Sequence, residues 1–213
     1  MPAPRLGFPV LLATLAVAAV LASSRPAPAG PQPGEGERLR APAEFAGIAD
    51  RRERSIALFT EAGKVILHPR CVNCHPADEM PRQGDVPVLH DPPVFRGGGL
   101  GVPAMRCTSC HQDRNLDYAR VPGAPGWHLA PREMAWLGRS LGQICNQLKD
   151  RRRNGGKTLA EIQHHMAHDE LVGWGWSPGA DRTPAPGTQA ELGALIQAWI
   201  RTGAACPPEE AAR

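Results

Sequence analysis

A five-residue motif occurs twice in the chain and constrains its fold more than any other feature. Residues 71–75 read Cys-Val-Asn-Cys-His and residues 107–111 read Cys-Thr-Ser-Cys-His, so both follow the pattern Cys-x-x-Cys-His. A further histidine follows each motif, His90 in the first case and His128 in the second. Only 36 residues separate the first cysteines of the two motifs, which is too few for each motif to have its own domain. The two motifs are therefore expected to share one small domain.

The pattern Cys-x-x-Cys-His is the attachment sequence of c-type haem. Its two thiols reach two vinyl groups on one side of the ring, and the histidine that follows lies under the iron as the proximal ligand. Two copies of the motif predict two haem c groups in one chain. The predicted attachment residues are Cys71, Cys74, Cys107 and Cys110, and the predicted proximal ligands are His75 and His111.

Two other uses of the four cysteines remain open at this stage. The Cys-x2-Cys…Cys-x2-Cys form also fits a zinc ribbon, although the stretch between the two pairs is longer than usual. The same pairs could form two disulfides or serve as redox thiols. Neither alternative requires a histidine after both pairs, so His75 and His111 favour haem.

The distal iron ligands are predicted from the near-repeat of the two segments. His90 lies fifteen residues after His75, and His128 lies seventeen residues after His111. Haem iron in electron carriers usually takes histidine or methionine as its sixth ligand. Each haem is therefore expected to use the second histidine of its own repeat. The alternatives are His68, His165 in the cluster of residues 164–168, and the methionines Met80, Met105, Met134 and Met166.

The N-terminus predicts export from the cytoplasm. Residues 6–22 form an almost unbroken apolar run after a single arginine, and small residues follow. This is the pattern of a secretory signal peptide, assigned here to residues 1–29, with cleavage after Ser24 or Ala29. An uncleaved membrane anchor is the alternative. A linker rich in proline and glycine is predicted over residues 30–49, and the mature protein is expected in the periplasm.

Export to an oxidising compartment bears on the two remaining cysteines. Cys145 and Cys206 form an even pair outside the motifs, which predicts a disulfide. Two buried free thiols are the alternative.

Composition and periodicity together predict a mainly α fold with a long irregular haem-binding segment. The chain has 23 glycines and 23 prolines, and only 5% of its residues are aromatic. Such a chain can build only a small side-chain core, and a bulky apolar cofactor would add the missing buried surface. Helices are expected over residues 50–67 and 131–150, and after the capping residues Thr158 and Thr188. The predicted compact dihaem cytochrome c domain spans residues 50–207, with the haem segment at 68–131, the helical subdomain at 131–207 and a tail at 208–213.

Several phrases of the sequence also resemble a known family. "HPRCVNCHP", "GVPAMRCTSCHQDRNLD", "VPGAPGWHLAP", "LVGWGW" and "APGTQAELGALIQAWI" are similar to small bacterial dihaem cytochromes c that are often described as isoquinoline 1-oxidoreductase subunits. The resemblance implies an exported electron carrier that serves a molybdenum hydroxylase of the xanthine-oxidase type and passes electrons to a membrane-bound or soluble cytochrome. A looser likeness to the small dihaem subunit of periplasmic nitrate reductase implies bis-histidine iron. It supports His90 as a distal ligand and makes His68 the counterpart of that family's fourth histidine.

The expected function is therefore electron transfer without catalysis by this chain. The formal net charge of +3 is small and the charges are interspersed, so no nucleic-acid partner is expected. An electron carrier has redox proteins as partners, so no small-molecule substrate is expected either. The alternative is a haem enzyme of the dihaem peroxidase type, or a haem sensor, in which one iron keeps an open position.

Overall fold

The computed structural model describes Met1 and residues 38–209. The chain divides at Gly30 and Pro31, and the account below concerns the second unit. The predicted signal peptide after Met1, the linker up to residue 37 and residues 210–213 of the predicted tail lie outside the described residues. No helix in the described residues is long and apolar enough to cross a membrane.

Helices dominate the described unit, which confirms the mainly α prediction. They are α1 (Arg51–Ile66), α2 (Pro69–Val72), α3 (Leu141–Lys149), α4 (Leu159–His168), α5 (Glu170–Gly173) and α6 (Gln189–Arg201). Two short antiparallel hairpins lie between α2 and α3: β1 (Arg82–Gln83) with β2 (Val88–Leu89), and β3 (Gly101–Val102) with β4 (Met105–Arg106). Single 3-10 turns cover Pro42–Phe45, Cys107–Ser109, Asp117–Ala119, Arg132–Met134 and Trp174–Trp176.

The core forms where α6 packs against α1 and α4. Along α6 the buried residues Leu192, Leu195, Ile196 and Trp199 recur at helical spacing, so they line one face. The ring of Trp199 contacts the ring of Phe59 on α1, with their centroids 4.8 Å apart. The core side chains therefore belong largely to the helices.

Local capping explains where three of the helices begin. Asp50 accepts a hydrogen bond from the backbone N–H of Glu53 and starts α1. Thr158 and Glu161 form the predicted capping box of α4, and Thr188 caps α6 as predicted.

The helix predicted over residues 131–150 is wrong in its first half. Helix α3 begins only at Leu141, because Ser140 and Gln143 form a capping box there. Gly138, with a φ of 74°, breaks any helix that would enter from Pro131. This stretch instead packs in a loop against the first motif, where the ring of Trp136 stacks on His75 and the N–H groups of Trp136 and Leu137 donate to the His75 carbonyl.

The domain boundary predicted at residue 50 also differs from the structure. Leu39 and Phe45 lie in the hydrophobic core, and each exposes 2% of its surface or less. The backbone N–H of Arg40 donates to the carboxylate of Glu61 on α1. The predicted linker is therefore part of the compact unit from about residue 39 onward.

A disulfide connects Cys145, buried on α3, to Cys206, which follows α6. Their Cα atoms are 5.6 Å apart and 61 residues separate them in sequence. This is the pairing that the sequence predicts. It holds the segment after α6 against α3, where Lys149 also donates a hydrogen bond to the carbonyl of Ala204.

Removal of this bond should destabilise the helical core. We expect the Cys145→Ala/Cys206→Ala variant to lose about 2–4 kcal/mol of unfolding free energy, because the bond closes a long loop in the unfolded chain. Urea denaturation measures the loss. The wild-type protein treated with a thiol reductant is the matched control and should lose a similar amount. Equal denaturation midpoints with and without reductant would contradict the bond.

Candidate functional site

The first motif begins four residues after Leu67, which caps the C-terminus of α1. His68 caps α2, Pro69 occupies its first position, and Cys71 lies within it. Cys74 and His75 follow at the end of this single turn, because the backbone continues in turn geometry to residue 75. Helix α1 is anchored in the core, so the motif starts from a rigid element.

A cavity of about 880 Å³ lies beside the first motif. Cys71, Cys74 and His75 line it together with His128 and His165. Its apolar wall includes core residues of four helices: Val65, Ile66, Leu148, Ile162, Met166 and Leu192. A volume of this size is typical of cavities that enclose a cofactor.

His75 is held in one orientation by two contacts. Its Nδ1 lies 2.7 Å from the carbonyl oxygen of Met134, and its ring stacks on Trp136 with 3.6 Å between centroids. Burial lowers the pKa of His75 to about 4, so the ring is neutral at pH 7. The carbonyl can only accept, so Nδ1 carries the proton and Nε2 keeps a free lone pair. This is the state in which an imidazole binds a metal ion.

His111 in the second motif repeats this arrangement. The motif follows the β3–β4 hairpin and starts with the Cys107–Ser109 turn. The Nδ1 of His111 lies 2.7 Å from the carbonyl oxygen of Pro122, and its ring stacks on Trp127 with 4.5 Å between centroids. Burial lowers the pKa of His111 as well. Both motif histidines thus combine a carbonyl partner with a stacked tryptophan.

The second histidine of each repeat also has a carbonyl partner at Nδ1. His90 lies 2.9 Å from the oxygen of Pro92, and His128 lies 2.6 Å from the oxygen of Gly126. The ring of His90 lies 5.9 Å from the ring of His111, between centroids, with their planes 75° apart. The structure therefore brings His90 to the second motif, whereas the repeat predicts a pairing with His75. His128 likewise lines the cavity of the first motif.

The two alternative histidines are held differently. The Nδ1 of His68 accepts the backbone N–H of Arg70, so in the neutral ring Nε2 carries the proton. The Nδ1 of His165 lies 3.3 Å from a carboxylate oxygen of Asp169. His165 lines the first cavity, so it remains a candidate ligand there beside His128. Of the four alternative methionines, Met134 and Met166 are buried and also line this cavity.

The four motif cysteines are free thiols in the structure. Burial raises the pKa of Cys71 to about 12 and that of Cys74 to about 11, and it raises the pKa of Cys107. Redox-active cysteines instead have lowered pKa values, because they react as thiolates. Among residues 38–209, no group of three or more His, Cys, Asp or Glu side chains is arranged to hold a metal ion.

Arg70 supplies a buried positive charge at the wall of the first cavity. It forms an ion pair with Asp85 and donates to the carbonyl of Gly84, but its buried Nε has no hydrogen-bond partner. An unpartnered buried donor fits a ligand that carries a carboxylate, as haem does in its propionates. The thiols, the neutral imidazoles, the apolar wall and this cation together fit a haem in the first cavity.

Large apolar side chains around the second motif are exposed. Apart from Met1 and Leu67, every exposed large hydrophobic residue of the described chain lies between residues 86 and 118: Val86, Val88, Leu89, Phe95, Leu100, Met105, Leu116 and Tyr118. This is the segment that carries His90 and the second motif. When exposed apolar side chains form a contiguous patch, the patch is typical of a binding surface.

Aromatic contacts connect the two motifs. Trp127, which stacks on His111, contacts Trp174 edge to face with 5.0 Å between centroids. Trp174 lines the first cavity. The sequence analysis missed these tryptophans. The sequence feature that could have indicated them is their clustering, because all five tryptophans of the chain follow the second motif and four of them lie within residues 127–176.

Arg96 holds the loop after the first motif in place, a role that the sequence did not indicate. The side chain is 4% exposed and donates to the carbonyls of Asp78, Ala130 and Pro76 at 3.0–3.1 Å. It thereby connects the residues after His75 to the segment that leads to Pro131. A lone arginine before three glycines gave no sequence signal for this role.

No family model, curated protein or solved structure matches this chain.

Replacement of Arg96 should loosen the loop that carries the first motif. We expect Arg96→Ala to lower the unfolding free energy by at least about 2 kcal/mol, because three carbonyls, the buried one of Pro76 among them, lose a charged donor. Urea denaturation measures the change. Arg52→Ala, at an exposed position of α1, is the control and should change stability little. Equal stability of the two variants would show that the arginine does not organise the loop.

Proposed function

We propose that this chain is an exported dihaem c-type cytochrome that carries electrons. The observation that carries the proposal is the matched environment of His75 and His111. Each follows a Cys-x-x-Cys pair, stacks on a tryptophan and directs Nδ1 to a backbone carbonyl. Metal-binding histidines are typically held in this way, because a carbonyl at one nitrogen leaves the other free for the ion.

The chain's residues would hold two haem groups by covalent, iron-ligand, ionic and apolar contacts. Cys71 and Cys74 would form the thioethers of the first haem, and Cys107 and Cys110 those of the second. His75 and His111 would bind the two irons on the proximal side. The bound haem supplies an iron that takes up and releases one electron. Arg70 would pair with a propionate, and the apolar cavity wall would keep water from the first haem.

The histidines near each motif support electron transfer without substrate chemistry, because they could fill the sixth ligand position of each iron. His90 lies beside His111, and His128 and His165 line the cavity of His75, so each iron has a histidine at hand for its sixth position. An iron with two histidine ligands has no open site for peroxide. It also lacks the thioether ligand that raises the potential in His/Met cytochromes, so we expect modest or low potentials.

Location and partners follow from the sequence rather than from the site. The apolar N-terminal run supports export to the periplasm, and the Cys145–Cys206 disulfide is consistent with an oxidising compartment. The family resemblance supports a molybdenum hydroxylase as electron donor and a membrane-bound or soluble cytochrome as acceptor.

Spectroscopy of the haem-loaded protein tests the carrier function. We expect two low-spin signals in the electron paramagnetic resonance spectrum of the oxidised protein, because both irons have six ligands. Both haems should be reduced and reoxidised reversibly, and peroxide should be consumed no faster than by free haem. A high-spin haem together with rapid peroxide turnover would overturn the carrier proposal in favour of a peroxidase.

The two haems should contribute unequally to stability. The first cavity is walled by core side chains of four helices, whereas the second motif lies in the exposed segment. We therefore expect Cys71→Ala/Cys74→Ala to lower the melting temperature by at least about 5 °C more than Cys107→Ala/Cys110→Ala, since a few kcal/mol of lost core contacts shift a domain of this size by that much. Far-UV circular dichroism measures both variants. The reverse order would contradict the placement of the first haem in the core.

A further inference from the structure

The pairing of the iron ligands can be inferred from the position of His90. We propose that His90 is the distal ligand of the haem attached at the second motif, so that His90 and His111 bind the same iron. The ligands then cross between the two repeats, since His90 follows the first motif in sequence. This inference rests on the proposed function, because it presupposes that the motifs hold haem.

The geometry of the two rings carries the inference. Metal–imidazole bonds are about 2 Å long, so two imidazoles on opposite sides of one iron have ring centroids about 6 Å apart. The centroids of His90 and His111 are 5.9 Å apart. The planes of the two rings are 75° apart.

The hydrogen bonds of both rings fit the same role. Nδ1 of His90 lies 2.9 Å from the oxygen of Pro92, and Nδ1 of His111 lies 2.7 Å from the oxygen of Pro122. In the neutral form of each ring the proton is therefore on Nδ1, and Nε2 is the nitrogen with a free lone pair. His68, the rival from the looser likeness, lacks this arrangement, because its Nδ1 accepts the N–H of Arg70.

A hairpin fixed to the first motif holds His90 in place. His90 directly follows β2, which pairs with β1, and its own N–H donates to the carbonyl of Pro81. The turn of this hairpin is tied to the first motif, because Arg70 and Asn73 both donate to the carbonyl of Gly84. The first motif thus places the ligand of the second haem. His128 and His165, which line the first cavity with His75, are then the candidate distal ligands of the first haem.

Chains that retain a single haem test the pairing. In the Cys107→Ala/Cys110→Ala background only the haem on His75 remains. There we expect His90→Ala to leave the low-spin electron paramagnetic resonance signal unchanged. Loss of that signal with a new high-spin signal would overturn the crossing and restore the pairing within each repeat. His164→Ala, at an exposed position of α4, is the matched control and should change nothing.

A measurement on the unmodified protein covers the case in which a single-haem chain does not fold. In nuclear Overhauser spectra of the reduced protein, the ring protons of His90 should contact the haem whose thioether groups contact Cys107 and Cys110. Contacts to the haem on Cys71 and Cys74 would overturn the proposal. The number of haems per chain is measured first: a chain that takes up no c-type haem refutes the proposed function, whereas two haems with His90 on the first refute only the crossing.

Discussion

Hydrogen bonds from histidine Nδ1 to backbone carbonyls are the contacts on which the site depends. His75, His90, His111 and His128 each lie within 2.9 Å of such an oxygen. A carbonyl can only accept, so it fixes the proton on Nδ1 and leaves Nε2 available to a metal ion. The carbonyls belong to a segment that contains only short turns and two small hairpins. Loops with little regular structure therefore orient the four imidazoles through their backbone carbonyls.

The described unit combines a helical core with a segment that cannot bury its own apolar residues. Helices α1, α3, α4 and α6 supply much of the core, and the disulfide joins α3 to the chain after α6. The exposed apolar residues lie instead between residues 86 and 118. Both motifs lie next to apolar surface, the first at a core cavity and the second among these exposed side chains. A pair of bulky apolar cofactors would account for both.

Sequence reasoning predicted the elements that depend on local signals. The predicted caps at Thr158 and Thr188 define two helices because a side-chain oxygen satisfies backbone N–H groups within the same turn. Tertiary features were harder to predict. The apolar residues before Gly138 have helical spacing but lie in a loop. Leu39 and Phe45 lie in the core, although the sequence around Leu39 is typical of a linker. The proximity of the His90 and His111 rings depends on where a hairpin ends in space, and the spacing of histidines in sequence does not encode that.

The count of covalently bound haems tests the central claim most directly. The chain would be produced in bacteria that have a c-type haem maturation system, and the purified protein would be examined by intact mass and by its pyridine haemochrome spectrum. The account predicts two haems per chain, one on the peptide with Cys71 and Cys74 and one on the peptide with Cys107 and Cys110. A protein isolated from such cells with four free thiols, or with zinc in place of haem, would contradict it.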